Sequence, residues 1–307
     1  LACNTTAQFN TAIGHSALCA NTIGQQNTAV GRLSLNVNTT GDANTAVGQL
    51  SLSSNTIGCG NVGVGFDALR RATTANENVA VGKIALGYTT TGNQNTALGT
   101  CVMYSNTTGA SNVALGKLAL FSNTIGSNNV ALGTSALQSS TTIDGTVAIG
   151  RCALLSNTTG QYNIAIGYEA MKCNDVGQYN VAVGYNSAAQ NTTGVQNTAL
   201  GCFALDANTT ASNNTAFGRA ALQENTTGTQ NTAVGSGALD ANTTADENTA
   251  VGYIALGANT TGALNTAVGA YCLDVNTTGG SNVALGANAL GANTTASNNT
   301  GVGTRAL

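Results

Sequence analysis

Few residues in this chain are of the types that carry out chemistry. Its 307 residues include one histidine, His15, and no acid or nucleophile arrangement recurs around it. The carboxylates are scattered, and the adjacent Asp246 and Glu247 are most simply two solvated residues of one corner. Neither a phosphate-binding GxxxxGK[ST] loop nor a dinucleotide fingerprint occurs. We therefore expect no catalytic residues, no cofactor and no enzymatic activity.

The eight cysteines offer no metal site. They contain no CxxC pair and no Cys/His cluster, so the sequence argues against zinc. Calcium-binding repeats rich in Gly and Asp are also missing. Cys3 and Cys19 occupy nearly matching places in adjacent repeats, which leaves a disulfide between them open, although its geometry is demanding. The alternative is that cysteine is a small residue at tolerant positions.

Asparagine sequons are frequent, and they carry the next candidate chemistry. In a chain secreted by a eukaryote, the Asn-Thr-Thr motifs would form a column of N-glycans along one edge. The alternative is that this segment is turn chemistry, since Asn21, Asn55 and Asn123 begin NTI and keep the turn without the sequon. The candidate glycosylation sites are Asn4, Asn38, Asn106, Asn157, Asn191, Asn208, Asn225, Asn242, Asn259, Asn276 and Asn293, while Asn213 and Asn298 also begin N-x-T.

Tyrosines form the last candidate binding feature. Tyr162 and Tyr179 share one place in consecutive repeats, and Tyr168 and Tyr185 share another. Exposed aromatic rings on a charge-poor surface suit stacking on sugar rings, which predicts a possible glycan-stacking site. The simpler interpretation is that these tyrosines stack on one another or are covered by a neighbouring chain.

A 17-residue period positions all of these residues. From Asn10 onward, NTAVG-xx-AL-xx-NTTG-xx returns in 18 copies without insertion or loss, and only Thr146 replaces the leading Asn. The glycine four places on is present throughout, from Gly14 to Gly303. Such regularity predicts a repeat array rather than a globular domain. We expect one continuous array over residues 1–307.

Composition narrows the class further. The chain is 42% hydrophobic, 7% charged and carries a net charge of −3, which argues against disorder and against binding of nucleic acid or anionic membranes. Its longest apolar runs are too short to span a bilayer. Both ends fall within a repeat, with Leu307 in the place of the repeated leucine. We expect the native chain to continue past both ends, or the ends to abut other subunits.

One repeat reads as three sides joined at three corners. Counting the leading Asn as position 0, alternating β-branched residues at positions 0–4 predict a short strand, which glycine at position 4 ends with a positive φ. A small residue and a leucine at positions 7 and 8 point inward again, and NTTG forms a third segment. Of 21 charged residues, all but Asp175 fall on three dipeptides, the predicted corners.

These features predict an all-β fold, a parallel β-solenoid of about 18 coils. Strands spaced about 4.8 Å apart would make a rod of about 85 Å. We expect the Leu and Val columns to form the core and the two Asn columns to bond along the axis. Neither face of the NTAVG strand is charged, and such strands are usually covered on both sides. We therefore expect lateral packing against other copies of the chain.

The motif NTAVGxxALxxNTTGxx resembles the head repeats of trimeric autotransporter adhesins, which carry an SxAxG or NxAxG strand followed by a two-residue turn. It is more similar still to 17-residue NTAIG…AL…NTTG arrays of viral and phage tail fibres and bacterial surface proteins. The resemblance implies a left-handed β-roll, three chains around one axis, an extracellular location and a role in surface attachment. The adhesin coil is shorter, and no stalk, anchor or chaperone domain is included.

We expect a structural fibre or an adhesin shaft or head, which holds a binding tip away from a surface. Its partners would be other copies of itself, with cell-surface glycans as a possible addition, and no nucleic acid or membrane insertion. One alternative is an ice-binding solenoid built on the Thr columns of NTTG, although Ile23, Ile57 and Val176 interrupt the second column. Another alternative is an N-glycosylated extracellular matrix fibril.

Overall fold

The computed structural model describes residues 2–306, and in that part every regular element is a β-strand. The chain forms two compact units, residues 1–151 and 152–307. The first unit contains β1 (Thr11–Ile13), β2 (Thr28–Val30), β3 (Thr45–Val47), β4 (Val62–Val64), β5 (Val79–Val81), β6 (Thr96–Leu98), β7 (Val113–Leu115), β8 (Val130–Leu132) and β9 (Val147–Ile149).

The second unit repeats the same plan. Each strand again covers positions 1–3 of one repeat, so the strand predicted within NTAVG is confirmed. The expectation for Leu307 lies outside the described residues. The strands of this unit are β10 (Ile164–Ile166), β11 (Val181–Val183), β12 (Thr198–Leu200), β13 (Thr215–Phe217), β14 (Thr232–Val234), β15 (Thr249–Val251), β16 (Thr266–Val268), β17 (Val283–Leu285) and β18 (Thr300–Val302).

Within each unit, consecutive strands pair in parallel with a shift of one repeat. Thr28 lies beside Thr45 in the first unit, for example, and Thr232 lies beside Thr249 in the second. Equivalent residues of successive coils therefore stack into columns. This register confirms the predicted parallel β-solenoid with coils of 17 residues. Handedness stays a prediction.

The turns depend on residues in the left-handed region of φ. Gly31, at position 4, has a φ of +137°, and a Cβ there would lie 2.6 Å from the carbonyl oxygen of Gly48. Both the backbone angle and the close approach of the next coil require glycine, so its predicted role is confirmed. Non-glycine residues at positions 6, 8 and 16 also adopt positive φ, as in Ser16 (55°), Leu18 (48°) and Gln26 (57°).

The interior is narrow and is filled by stacked columns of small residues, leucines and asparagines. Alanine at position 2, a small residue at position 7 and leucine at position 8 are buried, as at Ala46, Ser51 and Leu52. Asparagines at positions 0 and 11 are buried with them, as at Asn44 and Asn55. The predicted leucine column is therefore confirmed as part of the core, and the two asparagine columns lie in the core beside it.

The expectation that the Val column also forms the core is wrong. Position 3 points outward in both units, and Ile13, Leu115 and Phe217 are 61%, 50% and 54% exposed. In a three-residue strand only the middle side chain faces inward, and here that residue is alanine. The space beneath it is tight, since a Cβ on Gly63 would lie 2.6 Å from the Ser51 Oγ. No larger side chain fits there.

Both asparagine columns make hydrogen bonds along the solenoid. At position 11 the Asn38 Nδ2 donates to the Asn21 Oδ1 at 2.8 Å. At position 0 the backbone N–H of Asn44 donates to the Asn27 Oδ1 at 2.9 Å. The predicted ladders exist, although the second is closed mainly by a backbone donor rather than by side chains alone.

The cysteines and charged residues fit the coil with one exception. All eight cysteines, Cys3 and Cys19 included, are unpaired. Burial raises the pKa of the Cys272 thiol. Most charged side chains lie at solvated corners as expected, but Asp67 is only 8% exposed.

Candidate functional site

The solenoid presents an uncharged surface that we call the outer strand face: the side chains at positions 1 and 3 of each coil. It is made of Thr, Val, Ile, Leu and one Phe, because the alanine between them takes the inward position. Its most exposed apolar members are Ile13, Val81, Leu98, Val113, Leu115, Ile164, Ile166, Phe217, Val268, Val283, Leu285 and Val302.

This outer strand face is unusual for a surface in contact with water. Nine coils in each unit carry it without a charged residue. Scattered exposed apolar side chains are ordinary, but contiguous apolar columns mark interaction sites. The sequence predicted a covered strand, and it placed the wrong residues outward: the Val and Thr columns form the face, and the Ala and Asn columns lie inside.

Charges of opposite sign flank the outer strand face. Position 5, just after the strand, carries only cations where it is charged, and positions 15 and 16, just before the strand, carry only anions. This separation was not predicted from the sequence, although the sign of the charge at each repeat position reveals it. The basic rim consists of Arg32, Lys83, Lys117, Arg151 and Arg219, and the acidic rim consists of Asp42, Glu77, Asp144, Asp246 and Glu247.

The four tyrosines singled out from the sequence form two stacked pairs in the second unit. The Tyr162 and Tyr179 rings lie 5.4 Å apart at 12°, and the Tyr168 and Tyr185 rings lie 5.4 Å apart at 9°. Phe203 continues the second pair edge-on to Tyr185. Stacking uses the ring faces within each pair, as the simpler interpretation expected. All four side chains remain partly exposed, and glycan stacking stays a prediction.

A second aromatic group lies in the first unit and was not predicted from the sequence. Tyr88, Tyr104 and Phe121 stack in consecutive coils, with centroid distances of 4.7 and 5.1 Å. The Arg71 guanidinium lies 4.0 Å from the centroid of the Tyr88 ring. A hydrogen bond with Tyr88 and partial desolvation raise the pKa of Tyr104. Aromatic residues at positions 9 and 10 of adjacent copies were the available signal.

The sequon asparagines do not form the exposed edge expected for a glycan column. Nine of them, from Asn38 to Asn276, are at most 1% exposed, because position 11 is one of the interior ladders. The Asn225 Nδ2, for example, donates to the Gly228 carbonyl oxygen at 2.9 Å. A glycan on that nitrogen would require the side chain to leave the core, so the fold argues against glycosylation at these nine positions. Asn4 and Asn293 are less buried, and N-glycosylation at these two positions stays a prediction.

The Thr columns of the NTTG segment are less free than the ice-binding alternative needs. At position 12 the hydroxyl donates to a backbone carbonyl of the next coil, as from the Thr39 Oγ1 to the Thr56 oxygen at 3.0 Å. Position 13 is exposed, but isoleucines interrupt its threonine column: Ile23 and Ile57 are 51% and 52% exposed. The two columns therefore present a mixed surface, and ice binding stays a prediction.

A groove of about 580 Å³ in the second unit brings Arg219, Asp240, Tyr253 and Asp274 together. Desolvation and the nearby Glu224 carboxylate raise the pKa of Asp240, while Arg219 acts in the opposite direction.

Within residues 2–306 no three His, Cys, Asp or Glu side chains are grouped as a metal site would need. The same residues contain no helix with the length and hydropathy needed to span a membrane.

Candidate chemistry in this molecule therefore lies on surfaces rather than in an enclosed site. The outer strand face, its two charged rims and the aromatic stacks are its distinctive features. Comparison with models of known protein families and with curated protein sequences gave no match to this chain.

Proposed function

We propose that this chain is a structural repeat array that associates with further copies of itself through the outer strand face. It serves as the shaft or head of an extracellular attachment fibre, such as a tail fibre or surface adhesin. The observation that carries the proposal is the outward Val, Ile and Leu column at position 3, an uncharged surface that water solvates poorly.

The partner proposed is a second copy because the face repeats with the period of the coil. A partner that covers nine successive coils in each unit must present its own apolar residues at the same spacing. A chain with identical 17-residue coils does so at every coil. The adhesin resemblance supports three chains around one axis.

The charged rims support parallel packing. When two copies face one another around an axis parallel to the solenoid, the basic rim of one copy meets the acidic rim of the other. Turning one copy end for end places Arg32 and Lys83 opposite cations instead. Like charges across an interface are unfavourable and unlike charges favour association, so the parallel homotrimer is compatible with the charge pattern.

The oligomeric state tests this proposal. Sedimentation velocity of the wild-type chain at micromolar concentration should show a trimer, and a stable monomer would contradict the proposal. Replacing Leu98 and Leu115 by Arg should raise the dissociation constant about 100-fold or more, since two charges would be buried without partners. Thr108→Arg, which places the same charge on another exposed side of the coil, is the matched control and should leave the trimer intact.

The rims allow a second, weaker test. Lys83→Glu with Lys117→Glu should weaken the trimer about tenfold at low salt and by less at 1 M salt, because rim charges are screened. Adding Glu77→Lys should restore part of the loss in the parallel arrangement. In an end-for-end arrangement Lys83 and Lys117 would face cations, so replacing them by Glu would relieve repulsion and would not weaken the assembly.

A further inference from the structure

Four tyrosines flank the same two strands of the second unit. Tyr162 and Tyr179, at position 16, lie in the corner before β10 and β11, and Tyr168 and Tyr185, at position 5, lie in the corner after these strands. No other strand of the second unit has an aromatic residue at both of these positions. A tyrosine pair therefore borders each end of one short stretch of the outer strand face.

Each pair stacks within itself and keeps much of its surface in water. The rings of both pairs lie 5.4 Å apart and at most 12° from parallel, yet the four tyrosines are between 37% and 57% exposed. Glu169, the residue after Tyr168, turns to the next side of its coil, where it pairs with Lys172 at 3.0 Å. Tyr168 is thus the corner residue beside the strand. Both pairs place exposed aromatic surface next to the outer strand face, where a partner could cover it.

Rotation about an axis parallel to the solenoid brings unlike ends of the strand together. In a ring of three, the corner after each strand of one copy meets the corner before the same strand of its neighbour, so the contact is heterologous. A pure rotation also keeps every coil at its own height. Tyr168 and Tyr185 of one copy then lie opposite Tyr162 and Tyr179 of the next.

The tyrosines discriminate between axial registers. The unshifted register opposes both tyrosines of each pair, whereas every shift along the axis opposes at most one. The charged rims of the first unit fit the unshifted register as well. Glu77 precedes and Lys83 follows β5, and Asp144 precedes and Arg151 follows β9. Opposite charges of neighbouring copies would therefore meet at both of these strands.

We propose that these four tyrosines form a clasp between chains. Tyr168 and Tyr185 of one copy pack against Tyr162 and Tyr179 of the next, with equal coils aligned. The clasp rests on the proposed self-association and adds to it the aromatic contact and the axial register. Contacts between aromatic rings contribute more than the area that they bury. Since neighbouring copies share these rings, the clasp would leave them unavailable for stacking on sugars.

Dityrosine cross-linking of the full chain tests the clasp. Photo-oxidation with a ruthenium sensitiser and persulfate removes one hydrogen atom from each of two neighbouring phenols and joins their rings by a carbon–carbon bond. The wild-type chain should give covalent dimers and trimers on denaturing gels. Tyr162→Phe with Tyr179→Phe should lose most of these products, and so should Tyr168→Phe with Tyr185→Phe. Sedimentation velocity should still show the trimer for both double variants, because phenylalanine keeps the ring.

Co-expression of the two double variants decides which corners meet. The mixed trimers should recover about a quarter of the wild-type cross-linking, because about one in four contacts then has tyrosines on both sides. Products that persist in either double variant alone would mean that like pairs meet, and they would overturn the clasp.

The matched control is Tyr253→Phe with Tyr271→Phe. These two rings of the second unit lie 5.3 Å apart, but no tyrosine precedes the strands of their coils. The control should therefore leave the wild-type cross-linking unchanged. A loss as large as that in the other double variants would place the contact elsewhere and refute the clasp.

The clasp and the proposed self-association fail separately. A monomeric wild-type chain would contradict both. A trimer without dityrosine products would refute the clasp and leave association through the outer strand face standing. The Leu98 and Leu115 arginine variant should lose the trimer and the cross-linking together, and cross-linking that survives in the monomer fraction would count against the clasp.

Discussion

The two buried asparagine columns consist of the same residue, yet their side-chain oxygens accept hydrogen bonds from different kinds of donor. At position 0 the Asn95 Oδ1 accepts from the backbone N–H of Asn112 at 3.0 Å. At position 11 the Asn106 Oδ1 accepts from the side chain of Asn123 at 2.9 Å. The first column satisfies a donor that every residue type except proline carries, whereas the second satisfies a donor that exists only when the next coil also has asparagine.

Both columns converge on a single carbonyl in each coil. The Asn95 Nδ2 and the Asn106 Nδ2 both donate to the Gly109 oxygen, at 2.9 and 3.0 Å. A carbonyl has two lone pairs and is filled by this arrangement. The columns therefore join the beginning of the strand to the NTTG segment across the coil, and they differ only in how they connect to the next coil.

This difference explains where the repeat tolerates substitution. Position 0 departs from asparagine once, at Thr146, while position 11 departs at Ala72, Thr89 and Ser140. Where another residue follows an asparagine in this column, the asparagine loses its hydrogen-bond donor. Asn55 is followed by Ala72 in the next coil, and its Oδ1 is buried without a partner among the described residues. Asn123 precedes Ser140 and shows the same defect. Thr89 supplies a weak substitute, which accepts from the Asn106 Nδ2 at 3.4 Å.

The largest effect that we predict is at position 0. Asn95→Ala removes the acceptor for the Asn112 N–H and one donor to the Gly109 oxygen, and it leaves the buried N–H without a partner. We expect a loss of about 3 kcal/mol in the free energy of unfolding, from one orphaned backbone group and the bonds lost with it. Chemical denaturation followed by circular dichroism measures it. A loss below about 1 kcal/mol would contradict the claim that this side chain is needed to satisfy a buried backbone N–H.

The matched substitution at position 11 should cost about half as much. Asn106→Ala removes the other donor to the same Gly109 oxygen, but the Asn123 Nδ2 that loses its partner still donates to the Gly126 oxygen at 3.0 Å. We therefore expect a loss of about 1.5 kcal/mol, with no orphaned backbone group. Denaturation under the same conditions compares the two variants directly. Equal losses for Asn95→Ala and Asn106→Ala would show that the shared carbonyl, rather than the link between coils, sets the cost.

Much of this architecture follows from the sequence because a fixed period makes every column visible. The strand, the positive-φ glycine of position 4, the leucine column and both asparagine ladders were predicted in that way. Which side of the strand faces the core was not predicted correctly, since Ala and Val alternate and the pattern alone allows either to point inward. What decides it is the tight space above Ser51 and Leu52, where a Cβ added at Gly63 would already lie 2.6 Å from the Ser51 Oγ. Packing volume of this kind is a property of the closed coil and not of a single repeat.

The surface sites show the same limit. Counting by repeat position places Tyr162 above Tyr179, and the structure stacks them. The charged group near Tyr88 depends instead on residues that depart from the repeat, namely Asp67, Arg70 and Arg71, and on the burial of the Asp67 carboxylate. Burial of a corner residue is not encoded in the period, because the other charged residues at these corners are mostly solvated. The sequence therefore predicts the common coil better than its exceptions.

Repairing the interrupted ladder should give a smaller effect of opposite sign. Ala72→Asn places an amide beside the unpartnered Asn55 Oδ1, at a position where most other coils already accommodate asparagine. We expect a gain of about 1 kcal/mol in the free energy of unfolding, the usual net value of one buried hydrogen bond. The control is Ala72→Leu, which fills the position without a donor and should not stabilise. A destabilised Ala72→Asn variant would mean that the neighbouring columns have repacked around alanine.

The smallest effect separates the neutral ladders from the charged corners through pH. Partial burial and the Glu224 carboxylate raise the pKa of Asp240 above its ordinary value of 3.8. A carboxyl whose pKa is higher in the folded state holds its proton more tightly there. The destabilisation caused by its charged form is therefore absent below pH 3.8, grows as the pH rises from 3.8 to the raised pKa, and then stays constant. Asp240→Asn should therefore stabilise the protein at pH 7 by about 0.5 kcal/mol, the scale of surface substitutions, and the gain should disappear under acid. The loss in Asn95→Ala should stay constant between pH 5 and pH 9, because an amide does not titrate in that range. Denaturation of both variants across pH tests the contrast, and a gain in Asp240→Asn that persists below pH 3.8 would assign it to packing rather than to charge.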